Sequence, residues 1–134
     1  MQLRRNTFLY ERNPNLFSFS RISEIDILHI CNQLKPKLSS GADSISTKLL
    51  KEIAPFIITP LHYLINLSLE TGFVPSELKL AKIVPVYKDG NSHEFTNYRP
   101  ISLLSSLSKL FEKIVSRQLI RFLNLNEILY KHQK

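Results

Sequence analysis

The stretch KIVPVYKDGNSHEFTNYRPISLL, residues 82–104, carries the pattern that decides the fold. Its first part, Lys82–Lys88, is rich in β-branched residues and ends at a turn-forming Asp-Gly pair, which predicts a strand. A proline at the centre of this segment places the strand at a sheet edge or a bulge. A second extended piece, Tyr98–Leu103, follows the polar loop Asp89–Asn97. The two pieces predict a β-hairpin with a long polar tip, and such tips can close over ligands.

Helical patterns precede the hairpin. Capping-box spacing over Ser23–Asp26, followed by apolar residues at helical intervals, predicts a helix from about Glu24 to Leu34. Ser46 or Thr47 can then cap a short second helix that runs through Ala54.

A third helix is predicted from about Pro60, a residue suited to a first helical turn, to Gly72 as its C-cap. Few of its faces are polar, so we expect it to be the most buried helix. The apolar run Ala54–Leu69 contains two prolines and His62, and it falls short of the roughly 20 residues that a bilayer requires. It is therefore interpreted as protein core, with no membrane partner.

A long amphipathic helix follows the hairpin. One broad apolar face is formed by Leu104, Leu107, Phe111, Ile114, Val115, Leu119 and Phe122. A basic ridge, predicted on the opposite face, recurs every four residues and consists of Lys109, Lys113, Arg117 and Arg121. Contact with a template or primer backbone is the functional interpretation of the ridge, and a solvated helix face is the alternative.

Composition and charge agree with a single globular domain. The chain has 134 residues, 43% of them hydrophobic and 22% charged. Its net charge of +7 is uneven, because residues 1–78 hold eight Lys/Arg against seven Asp/Glu, whereas residues 79–134 hold ten against four. A basic C-terminal part suggests contact with a polyanion, nucleic acid first, with a basic surface that has no partner as the alternative.

The single cysteine, Cys31, cannot form an internal disulfide, and its place on an apolar helical face predicts a buried thiol in a reducing, intracellular compartment. The stretch Met1–Phe19 is interrupted by polar residues and Pro14, so it does not resemble a signal peptide. The four histidines lack metal-ligand spacing, which argues against a zinc site. The sequence contains no Walker-type glycine loop, nucleophile elbow or hydrolase triad pattern.

Several motifs together resemble the reverse transcriptase of non-LTR retrotransposons, with jockey-like elements the most similar. They are Gly41-Ala42-Asp43-Ser44-Ile45, Leu49-Leu50-Lys51 with Pro55, Lys82–Gly90, Asn97-Tyr98-Arg99-Pro100-Ile101-Ser102-Leu103-Leu104, and Ser108–Lys113. Their order and spacing match from about Phe19 to Gln133. The sequence departs from the family at Ala42, Ser44 and Leu78, where the family usually has proline, glycine and tryptophan, and this indicates a diverged or decaying copy.

The resemblance implies a fold and a boundary. We expect an α+β chain in which three N-terminal helices precede a fingers β-hairpin and a long basic amphipathic helix. Residues 1–20 would be an N-terminal extension, and residues 21–134 a partial reverse transcriptase domain without the catalytic strands of the palm. The ending Leu129–Gln133 resembles a segment after which the family continues, so the chain is expected to stop within the domain.

The resemblance also assigns residues. Lys88 matches a lysine on the first strand of the fingers and Arg99 an arginine on the second, and in the family this hairpin closes over the incoming deoxynucleoside triphosphate. The chemistry suits them, since a guanidinium offers a planar fork to phosphate oxygens and an ammonium a movable point charge. The alternatives are a structural ion pair for Arg99 and an ordinary exposed hairpin residue for Lys88.

The family's catalytic aspartates, which hold two Mg²⁺ ions for attack at the α-phosphate, have no counterpart in this sequence. Asp26, Asp43 and Asp89 are isolated and are interpreted as a cap, a loop residue and a turn former. We therefore expect a fragment of an RNA-directed DNA polymerase, with RNA template, DNA primer and triphosphate as partners. It would have no cofactor of its own and no activity alone. The alternatives are a non-enzymatic nucleic-acid or protein binding module, and a fragment that does not fold stably because surfaces meant for the palm stay exposed.

Overall fold

The structure, a computed structural model, describes residues 16–129. Predictions that concern residues 1–15, including most of the N-terminal extension, lie outside the described residues. The same holds for the resemblance at residues 130–133.

The described chain is α+β, as the sequence predicts. Its elements, in order, are α1 (Glu24–Asn32), α2 (Thr47–Thr71), a 3-10 helix (Ser76–Lys79), β1 (Ala81–Tyr87), a second 3-10 helix (Phe95–Asn97), β2 (Tyr98–Leu104) and α3 (Ser106–Leu125). The three α-helices pack together, and the two strands form one antiparallel ribbon.

The first helix agrees with its prediction to within two residues. The Ser23 hydroxyl accepts a hydrogen bond from the backbone N–H of Asp26 at 3.2 Å, which caps the N-terminus. At the other end, the Lys51 ammonium donates to the carbonyls of Asn32 and Leu34 at 2.8 and 3.0 Å. A cation at this position satisfies carbonyls that the helix leaves unpaired and favours the negative end of its dipole.

The prediction of two helices between Ser46 and Gly72 is wrong, because α2 is continuous. Ser46 is its N-cap, accepting from the backbone N–H of Leu49 at 3.1 Å, and Gly72 is its C-cap with φ +70°, as predicted. Pro55 and Pro60 lie inside the helix on its exposed side. Each proline leaves the carbonyl four residues earlier without its helical hydrogen bond, and on the exposed side water can bond that carbonyl. Packing on the other face of α2 can then offset the remaining cost of the proline to the helix.

The core lies where α1, α2 and α3 meet. Its buried apolar residues are Ile27, Ile30, Cys31, Leu50, Ala54, Ile65, Leu69, Leu110 and Ile114. The prediction that the third helix would be the most buried is wrong, since Tyr63 and Leu64 in that span are 64% and 56% exposed, whereas α1 buries three of its nine residues. Among the described residues, α1 and α3 cover one side of α2 only. By length and composition alone α2 could cross a membrane, a test that the core helix of a soluble protein can also pass.

The β-hairpin forms as predicted, with Pro85 opposite Pro100. Just beyond the strands, the N–H of Lys88 donates to the carbonyl of Asn97 at 2.8 Å, so these two residues form a hydrogen-bonded pair. In an antiparallel ribbon, hydrogen-bonded and non-hydrogen-bonded residue pairs alternate along the strands. The two prolines therefore fall at a non-bonded pair, where their nitrogens point away from the partner strand. Neither proline interrupts the ladder, in agreement with the prediction of an edge position.

Candidate nucleotide and nucleic-acid interface

Lys88 and Arg99 lie on the same face of the hairpin. Arg99 is opposite Val86, and the pairing continues to Lys88 opposite Asn97, so Lys88 and Arg99 are diagonal neighbours. Such neighbours lie roughly 7–8 Å apart, and both side chains are exposed. Two long cationic side chains can thus reach one ligand from this face.

The other face of the hairpin carries aromatic residues that hold the tip. The rings of Tyr87 and Tyr98 form a T-shaped pair with centroids 5.6 Å apart. The Tyr98 hydroxyl donates to the carbonyl of Ser92 at 2.8 Å, and the Tyr87 hydroxyl to that of Gly90. Because the tip is fastened to the strands at two places, its closure over a ligand would have to move the hairpin as a unit.

The base of the hairpin is anchored in the helical body by small residues to which the sequence analysis assigned no role. The Ser106 hydroxyl donates to the carbonyl of Ile45 at 2.8 Å, and the Ser108 hydroxyl to that of Leu78 at 2.6 Å. Gly41 packs so closely that an added Cβ would lie 2.6 Å from the nitrogen of Ser105. Gly41 and the serines after the second strand thus hold the base of the hairpin through three neighbouring contacts.

The basic ridge borders the buried stripe of α3 and does not lie opposite it, so this part of the prediction is wrong. Lys109 and Lys113 are half-buried, and the Lys113 ammonium donates to the carbonyl of Gln33, just after α1, at 3.4 Å. Neighbouring positions on a helix differ by about 100°, which puts these lysines beside Leu110 and Ile114. Since α3 packs against both α1 and α2, the stripe it buries is wide. Arg117 and Arg121 are exposed.

Two side-chain amides hold the segment before α1. Asn66, which is buried, accepts from the N–H of Ile22 at 2.8 Å and donates to its carbonyl at 3.0 Å. Gln118 makes the same pair of bonds to Ser20, at 2.9 and 3.0 Å. Each amide supplies the donor and acceptor that a neighbouring strand would offer. Sequence reasoning missed both residues, because the contacts span 44 and 98 positions.

The isolated aspartates occupy the local positions that were predicted for them. Asp26 accepts a hydrogen bond from the Ser23 hydroxyl at 2.6 Å in the first turn of α1, and Asp43 accepts from the N–H of Ile45 at 3.1 Å. Asp89 lies beyond the end of β1. Between residues 16 and 129, no three His, Cys, Asp or Glu residues lie close enough to hold a metal ion together.

Cys31 is a buried core residue, as predicted. Burial raises the pKa of its thiol above the ordinary value of 9.0, and the positive charge of Lys51 opposes this to a lesser extent. A thiol in this environment stays protonated and unreactive at neutral pH.

Fold and site define a class: an α+β unit in which a helical body carries a β-hairpin with a lysine and an arginine on one exposed face. No protein-family model matches the chain. It is 36% identical over 109 residues to a probable RNA-directed DNA polymerase from transposon BS of Drosophila melanogaster, covering 81% of this chain and 12% of that protein.

Two further relatives are mobile-element proteins. The chain is 31% identical over 94 residues to a probable RNA-directed DNA polymerase from transposon X-element of Drosophila melanogaster, which is 69% of this chain and 10% of the relative. It is 26% identical over 96 residues to the RNA-directed DNA polymerase from mobile element jockey of Drosophila funebris, or 71% and 10%. By sequence, the chain is a relative of the RNA-directed DNA polymerases of jockey-like, non-LTR retrotransposons. It spans about an eighth or less of the length of these three relatives.

Proposed function

We propose that this chain is the part of a mobile-element RNA-directed DNA polymerase that supplies the fingers, and that it performs no chemistry alone. The observation that carries the proposal is the placement of Lys88 and Arg99 as exposed diagonal neighbours on one hairpin face. The relatives are named as RNA-directed DNA polymerases, which supports the polymerase assignment. The hairpin face supplies two cations, which suit a triphosphate.

In this proposal the two cations bind the incoming deoxynucleoside triphosphate. The Arg99 guanidinium donates two parallel hydrogen bonds to phosphate oxygens, and the Lys88 ammonium offsets further negative charge as a point charge. Mg²⁺ would be held in the whole polymerase by paired carboxylates, which residues 16–129 do not bring together. Phosphate binding and catalysis would thus lie on different parts of the polymerase.

The proposal also gives the chain a nucleic-acid surface. This surface would be drawn from the basic ridge of Lys109, Lys113, Arg117 and Arg121 and would contact the backbone of the RNA template or the DNA primer. Their spacing along α3 allows successive side chains to approach successive phosphates, and the excess of basic residues after residue 78 favours a polyanion.

The experiment compares the chain alone with a chimera in which it replaces the corresponding segment of an active related polymerase. With primed RNA template, deoxynucleotides and Mg²⁺, the chain alone should give no extension and the chimera should restore it. Arg99→Ala in the chimera should lower kcat/KM for nucleotide by roughly 10- to 150-fold, because a charged hydrogen bond to phosphate contributes about 1.5 to 3 kcal/mol. Lys88→Ala should cost less, since a flexible lysine loses more side-chain entropy on contact.

Lys82→Ala is the matched control. Lys82 is exposed on the same face of the hairpin, but it lies six residues, roughly 20 Å, from Lys88. It should leave kcat/KM unchanged, and template affinity should be unchanged in all three variants. An equal loss of template affinity in Arg99→Ala would contradict nucleotide contact. A folded chimera without activity would favour the alternative, a non-enzymatic binding module.

A further inference from the structure

A groove runs between the segment before α1, α1 itself and the C-terminal half of α3. Its volume is about 690 Å³, and its polar walls include Arg21, Asp26, His29, Arg117, Gln118 and Arg121. None of these residues belongs to the hairpin, so the groove is separate from the Lys88 and Arg99 face.

The charge of the groove is positive and largely uncommitted. Three arginines line it against one carboxylate, Asp26, which accepts a hydrogen bond from the Ser23 hydroxyl at 2.6 Å. Arg21 forms an ion pair with Glu70 at 3.0 Å. Within residues 16–129, neither Arg117 nor Arg121 has a carboxylate in ion-pair range, and both are exposed. Their guanidiniums are therefore available to an anion.

The walls of the groove are held in place. Gln118 fixes the backbone of Ser20, and Asn66 fixes that of Ile22, so Arg21 projects from a segment anchored on both sides. Across the groove, Arg117 and Arg121 are four residues apart on α3, a rise of about 6 Å, so each can contact a different phosphate. Anchored walls reduce the entropy that binding would otherwise cost.

The lysines of the basic ridge are in a different environment. Lys113 donates to the carbonyl of Gln33, which follows α1, and both Lys109 and Lys113 are half-buried. Lys109 lines a separate small cavity beside Leu34 and Thr47. The charge of Lys113 is directed towards the carbonyl end of α1, where cations stabilise a helix.

We propose that the basic ridge divides into two parts. Arg117 and Arg121 bind the sugar-phosphate backbone of one nucleic-acid strand in the groove, beside Arg21 on its opposite wall, whereas the half-buried Lys109 and Lys113 belong to the helical body, where Lys113 stabilises the end of α1. This inference rests on the proposed function and gives its nucleic-acid contact a location. Arginine matches phosphate geometry by a pair of hydrogen bonds, and because no base is contacted, binding is independent of sequence.

The test measures binding of the full 134-residue chain to two unrelated single-stranded RNAs by fluorescence anisotropy, between 50 and 200 mM salt. Two double variants are compared, Arg117→Gln with Arg121→Gln, and Lys109→Gln with Lys113→Gln. Both remove two positive charges, so each controls for the effect of net charge on the other. Thermal unfolding of each variant confirms that it is folded.

The arginine pair should weaken binding to both RNAs alike and reduce the slope of log K against log salt by roughly 1.4, or 0.7 for each lost contact. The lysine pair should leave the slope unchanged and lower Tm by a few degrees. Equal losses of slope in the two double variants would overturn the division of the ridge. If the arginine double variant lost no slope, or if the unchanged chain did not bind RNA, the groove would not be a nucleic-acid site. Each of these results is distinct from failure of the proposed function, which the chimera measures through Lys88 and Arg99.

Discussion

Ser44 has a backbone conformation that suits glycine, and replacing it should stabilise the protein. Its φ is +60°, in the left-handed region, while its N–H donates to the carbonyl of Gly41 at 3.3 Å. In this region a Cβ crowds the following carbonyl oxygen, at a cost of about 1–2 kcal/mol. We therefore expect Ser44→Gly to relieve this strain.

The size of the gain follows from two opposing effects. Relief of strain contributes about 1–2 kcal/mol, and the greater freedom of glycine in the unfolded chain takes back about 0.5–1 kcal/mol. The net expectation is a gain of about 0–1.5 kcal/mol in the free energy of unfolding, centred near 0.75 kcal/mol, which corresponds to a rise of about 3 °C in Tm for a chain of this size. Urea unfolding followed by helical circular dichroism measures it directly.

Ser44→Ala is the matched control for this measurement. It retains the Cβ and removes only the hydroxyl, which makes no hydrogen bond to the described part of the chain and lies on an exposed residue. Its stability should stay within about 0.5 kcal/mol of that of the unchanged protein. If Ser44→Gly proved no more stable than Ser44→Ala, the left-handed conformation at this position would be refuted.

Two further predictions concern the same body. Gly41→Ala should lower the free energy of unfolding by about 1–3 kcal/mol, because its Cβ would lie 2.6–2.8 Å from backbone atoms of Leu104 and Ser105. If the variant unfolded at the same urea concentration as the parent, the close contact would be contradicted. For Cys31, the raised pKa means that stability is fully present below the unfolded value of 9.0 and is lost as pH rises through the folded value. The difference in unfolding free energy between the parent and Cys31→Ala should therefore shrink above about pH 9. If this difference in unfolding free energy stayed constant up to pH 11, the pKa of the thiol would be the same in the folded and unfolded chains.

Local sequence patterns predicted most of the helices and strands. The predictions that failed concern features that depend on contacts between residues far apart in the sequence. The capping box at Ser23 and the turn signal after Lys88 act over a few residues, so both elements were predicted closely. Pro55 and Pro60 suggested a break because the local cost of proline is large, yet packing against α1 and α3 keeps α2 continuous. Nothing near Asn66 in sequence indicates that it binds Ile22.

The candidate site divides in the same way. A hairpin register places Lys88 and Arg99 on one face, and the sequence was enough to predict that hairpin. The position of the basic ridge was wrong because it depends on how α3 packs, and a periodic pattern alone does not specify how wide a stripe will be buried. Whether these residues contact phosphate stays a prediction.

The opposed prolines of the hairpin have a consequence for assembly. A projecting two-stranded ribbon has two open edges, each able to recruit a strand from another chain and so to start aggregation. Pro85 and Pro100 remove an outward N–H from both edges at the same level. A third strand could not add along either side without losing a hydrogen bond at its middle. Strand addition along either edge of this arm is therefore disfavoured, and its flat faces are the easier approach for a further protein segment or a second molecule.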